Sequence, residues 1–380
     1  MMTDNFSAGK TNVIFIVLLP TLECNLRCSY CFEKHPPGRW DVKATRIILT
    51  NVFDLLRNRN LNRCRLHWQG GEPLLLGESY WQEVLPMSRF LADQQGVHLS
   101  QSMQTNLTIY QTSFQSMVQE FFDGVLGTSF EPTDMRKSRH GDPAVFLREW
   151  SRAYDTALKD GLEVGVLSLI NEKALRMGAS LYLTKLREDH GIKRIRFTLP
   201  FRTLGKYGMG FWLDAHETGL FLAEMYRIWY RAGGNNWMEI RPFKHLTARL
   251  RGESVKASGL CVYANNCADI ALSILPNGNV TLCDSFAHPE AEMTYGNIFR
   301  ESLTVMHGGA RRKVVCKQVA ALVNSECAQC RYLGLCFGGC LARSHPAVGT
   351  IQRRYHYCET HKLLFHAIEE IAIHGESVRS

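Results

Sequence analysis

The chain has 380 residues, 45% of them hydrophobic and 21% charged, with a net charge of +8 from 44 basic and 36 acidic side chains. This is an ordinary soluble, globular composition, long enough for two domains or for one large barrel with an appendage. The mild positive balance lacks a dense Lys/Arg block and gives no case for nucleic acid, and the apolar run at 13–19 is too short to span a membrane. The start of the chain carries no signal-peptide pattern, so a cytoplasmic location is expected. Thirteen cysteines in a reducing compartment point to metal ligation or catalysis rather than disulfides.

Residues 1–12 read as a polar tail. Strand-like segments then occur at 13–19, 65–69, 97–105, 124–130, 163–170 and 194–199. Helical patterns at 42–56, 80–92, 112–122, 144–158 and 175–188 lie between them. Six strands alternating with helices imply right-handed parallel crossovers, in a doubly wound sheet or a partial barrel. A helix at 213–230 and a short strand at 238–241 follow. The first domain is expected to span 13–240 and a linker 241–260. Residues 261–380 form a cysteine-rich second domain in which Asn277-Gly278, between two short strands, predicts a type I′ hairpin. A helix at 359–374 closes the chain.

Cys24, Cys28 and Cys31 form a C-x3-C-x2-C motif in the loop after the first strand. Active sites of parallel sheets and barrels collect at the carboxyl ends of strands. A zinc clip needs a fourth ligand, for which His35 is available. Three thiolates also suit a [4Fe–4S] cluster with one iron left open for a cofactor or substrate. The motif resembles the signature of the radical S-adenosylmethionine superfamily, in which that open iron chelates the cofactor and an electron cleaves it to a deoxyadenosyl radical.

Further segments carry the resemblance. Gly70-Gly71-Glu72-Pro73 resembles the family's GGEP, and glycine is expected there because backbone must approach the ligand closely. Gln104–Leu107 and Gly127–Pro132 resemble the QTNG and S-x-DGP segments of peptide-modifying members, with Leu107 in place of glycine and Phe130-Glu131-Pro132 in place of Asp-Gly-Pro. The resemblance implies cofactor contacts from Gly70, Gly71, Glu72, Asn106 and Ser129. It places Arg136, with Arg139 as a rival, on the cofactor carboxylate, and Phe32 and Leu199 against the adenine. Gln69 and Gln104 fall where such enzymes contact the substrate backbone.

Eight further cysteines follow: Cys261, Cys267, Cys283, Cys327, Cys330, Cys336, Cys340 and Cys358. Eight thiolates complete two four-ligand sites, and two zinc sites would satisfy that count. The whole pattern resembles the SPASM domain of radical enzymes acting on peptides. That resemblance implies one auxiliary [4Fe–4S] cluster on Cys261, Cys267, Cys283 and Cys340, and another on Cys327, Cys330, Cys336 and Cys358. Cys64 and Cys316 stand outside every set. Asp284, directly after Cys283, matches an aspartate proposed as the base in sulfatase-maturing relatives.

The expected architecture is α/β: a partial (β/α)6 barrel followed by a small SPASM domain with a β-hairpin and terminal helix. The expected cofactors are S-adenosylmethionine and three [4Fe–4S] clusters. The expected function is a radical maturase forming a crosslink, carbon–carbon of the cyclophane type or related, in a ribosomally made peptide. The alternatives are an anaerobic sulfatase-maturating enzyme making formylglycine, which Glu33, Leu107 and Phe130-Glu131-Pro132 argue against, and a zinc-stabilised binding protein. Expected partners are a precursor peptide or protein substrate and an electron donor such as a flavodoxin or ferredoxin. With the first cysteine at position 24 there is no room for a leader-binding domain before it, so a separate leader-binding protein is a further candidate.

Overall fold

A computed structural model describes residues 13–33, 35–200, 212–253, 267–286, 294–325, 327–344 and 355–375. Strands β1 (Val13–Leu18), β2 (Arg63–Trp68), β3 (His98–Thr105), β4 (Val125–Ser129), β5 (Glu163–Leu169) and β6 (Arg194–Thr198) are parallel. Helices α1 (Val42–Asn58), α2 (Glu78–Gln94), α3 (Gln115–Phe121), α4 (Pro143–Lys159) and the short pair α5 (Glu172–Met177) and α6 (Ala179–Thr184) alternate with them. The helix starts follow from local chemistry. Asp41 accepts from the Ala44 amide at 2.7 Å to cap α1, and Asp142 caps α4 with Pro143 in its first turn.

Strand alternation decides what the sheet presents on each side. In β2, Cys64, Leu66 and Trp68 are buried, and Trp68 meets Trp81 of α2 edge-on at 5.3 Å. Arg65 and His67 take the opposite, interior side with partial exposure. Polar residues recur on that side in β3 (Ser100, Ser102, Gln104) and β6 (Arg194, Arg196). The interior is thus a lumen that is polar along β2, β3 and β6 and apolar along β1, where Phe15, Val17 and Leu19 gather with Leu22 and Leu275.

After α7 (Ala215–Arg231), strand β7 (Glu239–Arg241) adds in parallel to β6, and α8 (Phe243–Leu250) follows. The cysteine-rich part contributes α9 (Cys267–Ile270), β8 (Ala271–Ile274), β9 (Asn279–Thr281), β10 (Thr294–Asn297), α10 (Leu303–Gly308), α11 (Ala310–Ser325), α12 (Leu333–Cys336) and α13 (Cys358–Ile368). Strand β8 pairs in parallel with β1, giving one ten-stranded sheet in the order β10-β9-β8-β1-β2-β3-β4-β5-β6-β7. The second cysteine region therefore grows from the edge of the barrel sheet. Helix α13 packs on α7, where a side chain on Gly219 would meet Leu363 Cδ1 at 2.5 Å.

Several local expectations change. The hairpin is not type I′, because Pro276, whose ring fixes a negative φ, takes the first central position of the turn, where type I′ needs a positive φ. Leu275 O instead accepts from the Gly278 amide at 2.8 Å, and Gly278 alone takes a positive φ, 83°. This is a three-residue loop closing on a glycine. The helix expected at 175–188 is broken at Gly178, with φ of 80°. Residues 1–12 and 254–266, which include Cys261, lie outside the described residues.

Candidate active site and cluster cysteines

The loop after β1 carries Cys24, Cys28 and Cys31 across the carboxyl ends of the strands. Two hydrogen bonds fasten it to the segment after β4: the Arg27 amide to Lys137 O at 3.0 Å and the Ser29 amide to Met135 O at 2.8 Å. Burial pushes the Cys24 thiol up to about 11 and the Cys31 thiol up to about 12, with the neighbouring cysteines raising both further. Thiols crowded in a desolvated place resist ionisation until a cation arrives, which is the donor chemistry an iron–sulfur cluster needs.

The glycines of the GGEP turn have a reason that differs from the expected one. A Cβ on Gly70 would stand 2.1 Å from Thr21 O, and one on Gly71 would stand 2.1 Å from Glu23 O and 2.4 Å from Leu22 O. The Gly71 and Glu72 amides donate to Thr21 O and Glu23 O at 3.0 and 2.8 Å. The turn is bare so that the backbone of the cysteine loop can lie against it. Gly71→Ala is expected to displace that loop and to weaken cluster retention at least as much as folding. Iron content beside thermal unfolding checks this.

Glu72 is fully buried and braces the strand ends: Oε1 accepts from the Leu74 amide (2.9 Å) and Thr105 Oγ1 (2.6 Å), Oε2 from the Asn106 amide (2.6 Å). Burial outweighs these donors and raises its carboxyl to about 7. Because the folded value lies above the free one, this contribution is full below about 4.5 and is lost as pH rises through about 7. The cofactor-free protein is expected to lose about 3 kcal/mol across that window through this group. Glu72→Gln should flatten the slope, measured by urea unfolding at several pH values.

Asn106 reaches towards the first cysteine. Its Nδ2 donates to Asn25 Oδ1 at 2.7 Å and lies 3.7 Å from Cys24 Sγ, while its Oδ1 accepts from Thr108. Leu107 holds φ at 70°, the conformation that glycine would adopt freely, and is fully buried. Gln104 Nε2 donates to Ser129 Oγ at 2.8 Å, and Gly127 leaves the space Gln104 fills, since a Cβ there would lie 2.3 Å from Oε1. Gly127 was not singled out for this by sequence, because its place opposite Gln104 depends on the register of β3 with β4.

Arg136 is buried, and its Nε donates to Glu131 at 2.9 Å. Glu131 also accepts from Tyr30 Oη at 2.9 Å and from the Leu169 amide at 3.2 Å. Burial alone would lower the guanidinium, but Glu131, Tyr30 and Cys28 hold it above its ordinary value. The Glu131 that replaces the expected Asp-Gly pattern is therefore the anchor of Arg136. Arg139 is exposed. Phe32 is half-buried beside Cys31, and Leu199 is buried with its carbonyl accepting from Arg343 Nε at 2.9 Å.

Gln69 Nε2 donates to Asp284 Oδ2 at 2.9 Å, joining the end of β2 to the turn after Cys283. Glu33 lies within electrostatic reach of the same carboxylate, and burial, with the Asp284 charge, raises its carboxyl to about 8. Glu33 was read in the sequence only as a departure from the sulfatase-maturing pattern; its place at Asp284 needed the fold.

Among the distal cysteines, burial raises the Cys336 thiol to about 11, and Cys358, Cys327 and Cys330 all add to that rise. These four are the set expected for one auxiliary cluster. Cys267 and Cys283 both act on Tyr295, together with Cys316. Cys316 Sγ lies 3.8 Å from Ala268 O, so this thiol sits beside that half-set. Cys64 is buried in β2. Among the described residues no three His, Cys, Asp or Glu side chains converge tightly on a single metal ion, and a four-iron cube takes thiolates set farther apart than one ion does. No helix among these residues is long and apolar enough to cross a membrane.

Comparison with known proteins finds relatives along nearly the whole chain. A family model for the SPASM iron–sulfur cluster-binding domain matches residues 266–331. A cysteine-type anaerobic sulfatase-maturating enzyme of Clostridium perfringens is 24% identical over 90% of this chain and 92% of its own length. A serine-type counterpart from Klebsiella aerogenes is 23% identical over 89% and 82%. The solved structure of native anSMEcpe with bound AdoMet and Cp18Cys peptide superposes with a TM-score of 0.76 at 21% identity, covering 97% of this chain and all of that one. Streptococcus suis SuiB bound to precursor peptide SuiA gives 0.58 at 13% identity, covering 90% and 74%. Residues 266–331 thus match a SPASM iron–sulfur cluster-binding domain, and along nearly its whole length the chain is similar to anaerobic sulfatase-maturating enzymes, whose fold it shares.

Proposed function

We propose that this enzyme oxidises a side-chain carbon of a peptide by two electrons, with Asp284 as the proton acceptor. The observation that carries this is the 2.9 Å hydrogen bond from Gln69 to Asp284, which fixes a carboxylate at the mouth of the lumen beside Cys283. Cys24, Cys28 and Cys31 would hold the cofactor-binding cluster. When bound, the cofactor supplies hydrogen-atom abstraction and the auxiliary clusters an exit for the second electron. The chain does the rest. Gln69 orients Asp284, Gln104 positions Ser129, and burial biases the Glu33 carboxyl towards its neutral form, which limits negative charge near the base.

Two products fit this machinery. Likeness along nearly the full chain to both cysteine- and serine-type sulfatase-maturating enzymes supports formylglycine made from a Cys or Ser of a sulfatase. Glu33 at the base and Glu131 on Arg136 depart from the pattern of those enzymes and support the second product, a crosslink of carbon–carbon or related type in a ribosomally made precursor. The likeness to SuiB, solved with a precursor peptide, goes the same way. The first is better supported by the relatives, and the second by this chain's own residues. A flavodoxin or ferredoxin donor, a separate leader-binding protein in the second case, and a cytoplasmic site complete the reading.

The test is anaerobic turnover with a sulfatase peptide and with a candidate precursor peptide. A hydrazide-reactive aldehyde identifies formylglycine, and a cyclic fragment that resists sequencing identifies a crosslink. Deoxyadenosine formation with no change in either peptide would count against a peptide oxidase altogether.

A further inference from the structure

The cysteine-rich part reaches back into the barrel through a buried arginine. Arg343 ends the single turn Leu341–Arg343 that follows Cys340, and it is 8% exposed. Its amide donates to Cys340 O at 3.0 Å, Ser344 Oγ donates to the same carbonyl at 2.9 Å, and Arg343 O accepts from the His356 amide at 3.2 Å. The backbone is thus tied to Cys340 on one side and to the segment leading to Cys358 on the other. The guanidinium leaves that turn for the end of β6. Nε donates to Leu199 O at 2.9 Å and to Pro200 O at 3.3 Å, and Nη2 donates to Thr198 Oγ1 at 2.9 Å and to Leu199 O. Donors are needed there because the sheet stops supplying them. Strand β7 pairs with β6 as far as Arg196 beside Arg241, and Pro242, next in line, has no amide hydrogen. A cavity also opens at this junction, lined by Thr198, Leu199, Leu222, Phe243, Arg343 and Leu364, so packing alone does not hold the strand end. A buried guanidinium is costly unless its hydrogen bonds are made, which ties the turn after Cys340 to β6.

We propose that Arg343 is a positioning residue through which the distal thiolate site containing Cys340 governs cofactor binding in the barrel. This rests on the reading that S-adenosylmethionine binds at the strand ends with its adenine against Leu199. The edge of the sheet that Arg343 grips is the carboxyl edge, which also carries the loop at 24–31, Gly71, Asn106 and Ser129. With Cys340 ligated, the turn after it is fixed, and the Leu199 and Pro200 carbonyls are fixed with it. With that site empty, the turn is free to shift and the end of β6 shifts too. Cofactor affinity then falls although none of the barrel cysteines has been touched.

The experiment uses the reconstituted protein without reductant, so that the cofactor binds and is not cleaved. Equilibrium dialysis measures S-adenosylmethionine affinity, with iron content and circular dichroism read on the same samples. Arg343→Met is expected to keep about twelve irons and the fold while losing about tenfold in affinity, and Arg343→Lys to keep part of it. Cys340→Ala, with about four irons fewer, is expected to lose as much affinity as Arg343→Met. The double variant is expected to lose no more than either single one, because both act through one contact, whereas two unrelated structural defects would add. Where Arg343→Met does not fold, Arg343→Lys takes its place in the cycle. Wild-type affinity in a loaded Arg343→Met or a folded Cys340→Ala protein, or losses that add in the double variant, overturns the proposal. If wild type itself binds no S-adenosylmethionine, the parent reading falls together with this one. If wild type binds and the variants bind equally well, only the role of Arg343 falls.

Discussion

Cys28→Ala is expected to remove about four of about twelve irons and to take cofactor cleavage below detection, whereas Cys336→Ala removes about four and leaves cleavage in place. The difference follows from where the thiols stand. Cys28 lies in the loop against the GGEP turn and within electrostatic reach of Cys24, Cys31 and Arg136. Cys336 belongs to the separate group with Cys327, Cys330 and Cys358. Loss of the second cluster should stop peptide oxidation, because the second electron loses its route. Iron assay, deoxyadenosine chromatography and peptide mass spectrometry read the three quantities. Loss of cofactor cleavage in a folded Cys336→Ala protein would show that the two groups had been assigned the wrong roles.

Much of this was legible because the informative patterns are local. Strand and helix periods are set within a few residues, and C-x3-C-x2-C or C-x2-C-x5-C-x3-C spacings bring thiols together within single loops. What stayed hidden depends on contacts far apart in sequence. Gly70 and Gly71 read as room for a ligand, but the crowding atoms are carbonyls of residues 21–23. Glu33 and Asp284 are separated by most of the chain and meet only because β8 joins the edge of the sheet at β1. Asn277-Gly278 read as type I′ because the dipeptide was weighed without the Pro276 before it. Leu107 and Glu131 read as departures from a pattern; in the fold one holds a glycine-like φ and the other fills a buried ion pair. Those departures drew the functional reading towards crosslinking, while likeness along the whole chain draws it towards formylglycine.

Glu131→Ala is expected to destabilise the protein by about 3–5 kcal/mol, because it strands the buried Arg136 charge. It also deprives Tyr30 and the Leu169 amide of their acceptor. Glu131→Gln keeps an acceptor but not the charge and should cost less, and Glu131→Ala with Arg136→Met should recover much of the loss. Urea unfolding of the three variants measures this. The same pair bears on cofactor binding. Only Nε of Arg136 is engaged by Glu131, and its terminal nitrogens make no hydrogen bond among the described residues. Glu131 thus leaves one side of the guanidinium open, and we propose that this side takes a second anion, the cofactor carboxylate. If that is its use, Arg136→Met lowers affinity for S-adenosylmethionine about tenfold to a hundredfold, from a charged hydrogen bond of about 1.5–3 kcal/mol. Glu131→Gln then falls between it and wild type, and Arg139→Met leaves affinity unchanged. Equal affinity in wild type and Arg136→Met, by equilibrium dialysis of folded protein, would reduce the pair to a structural brace.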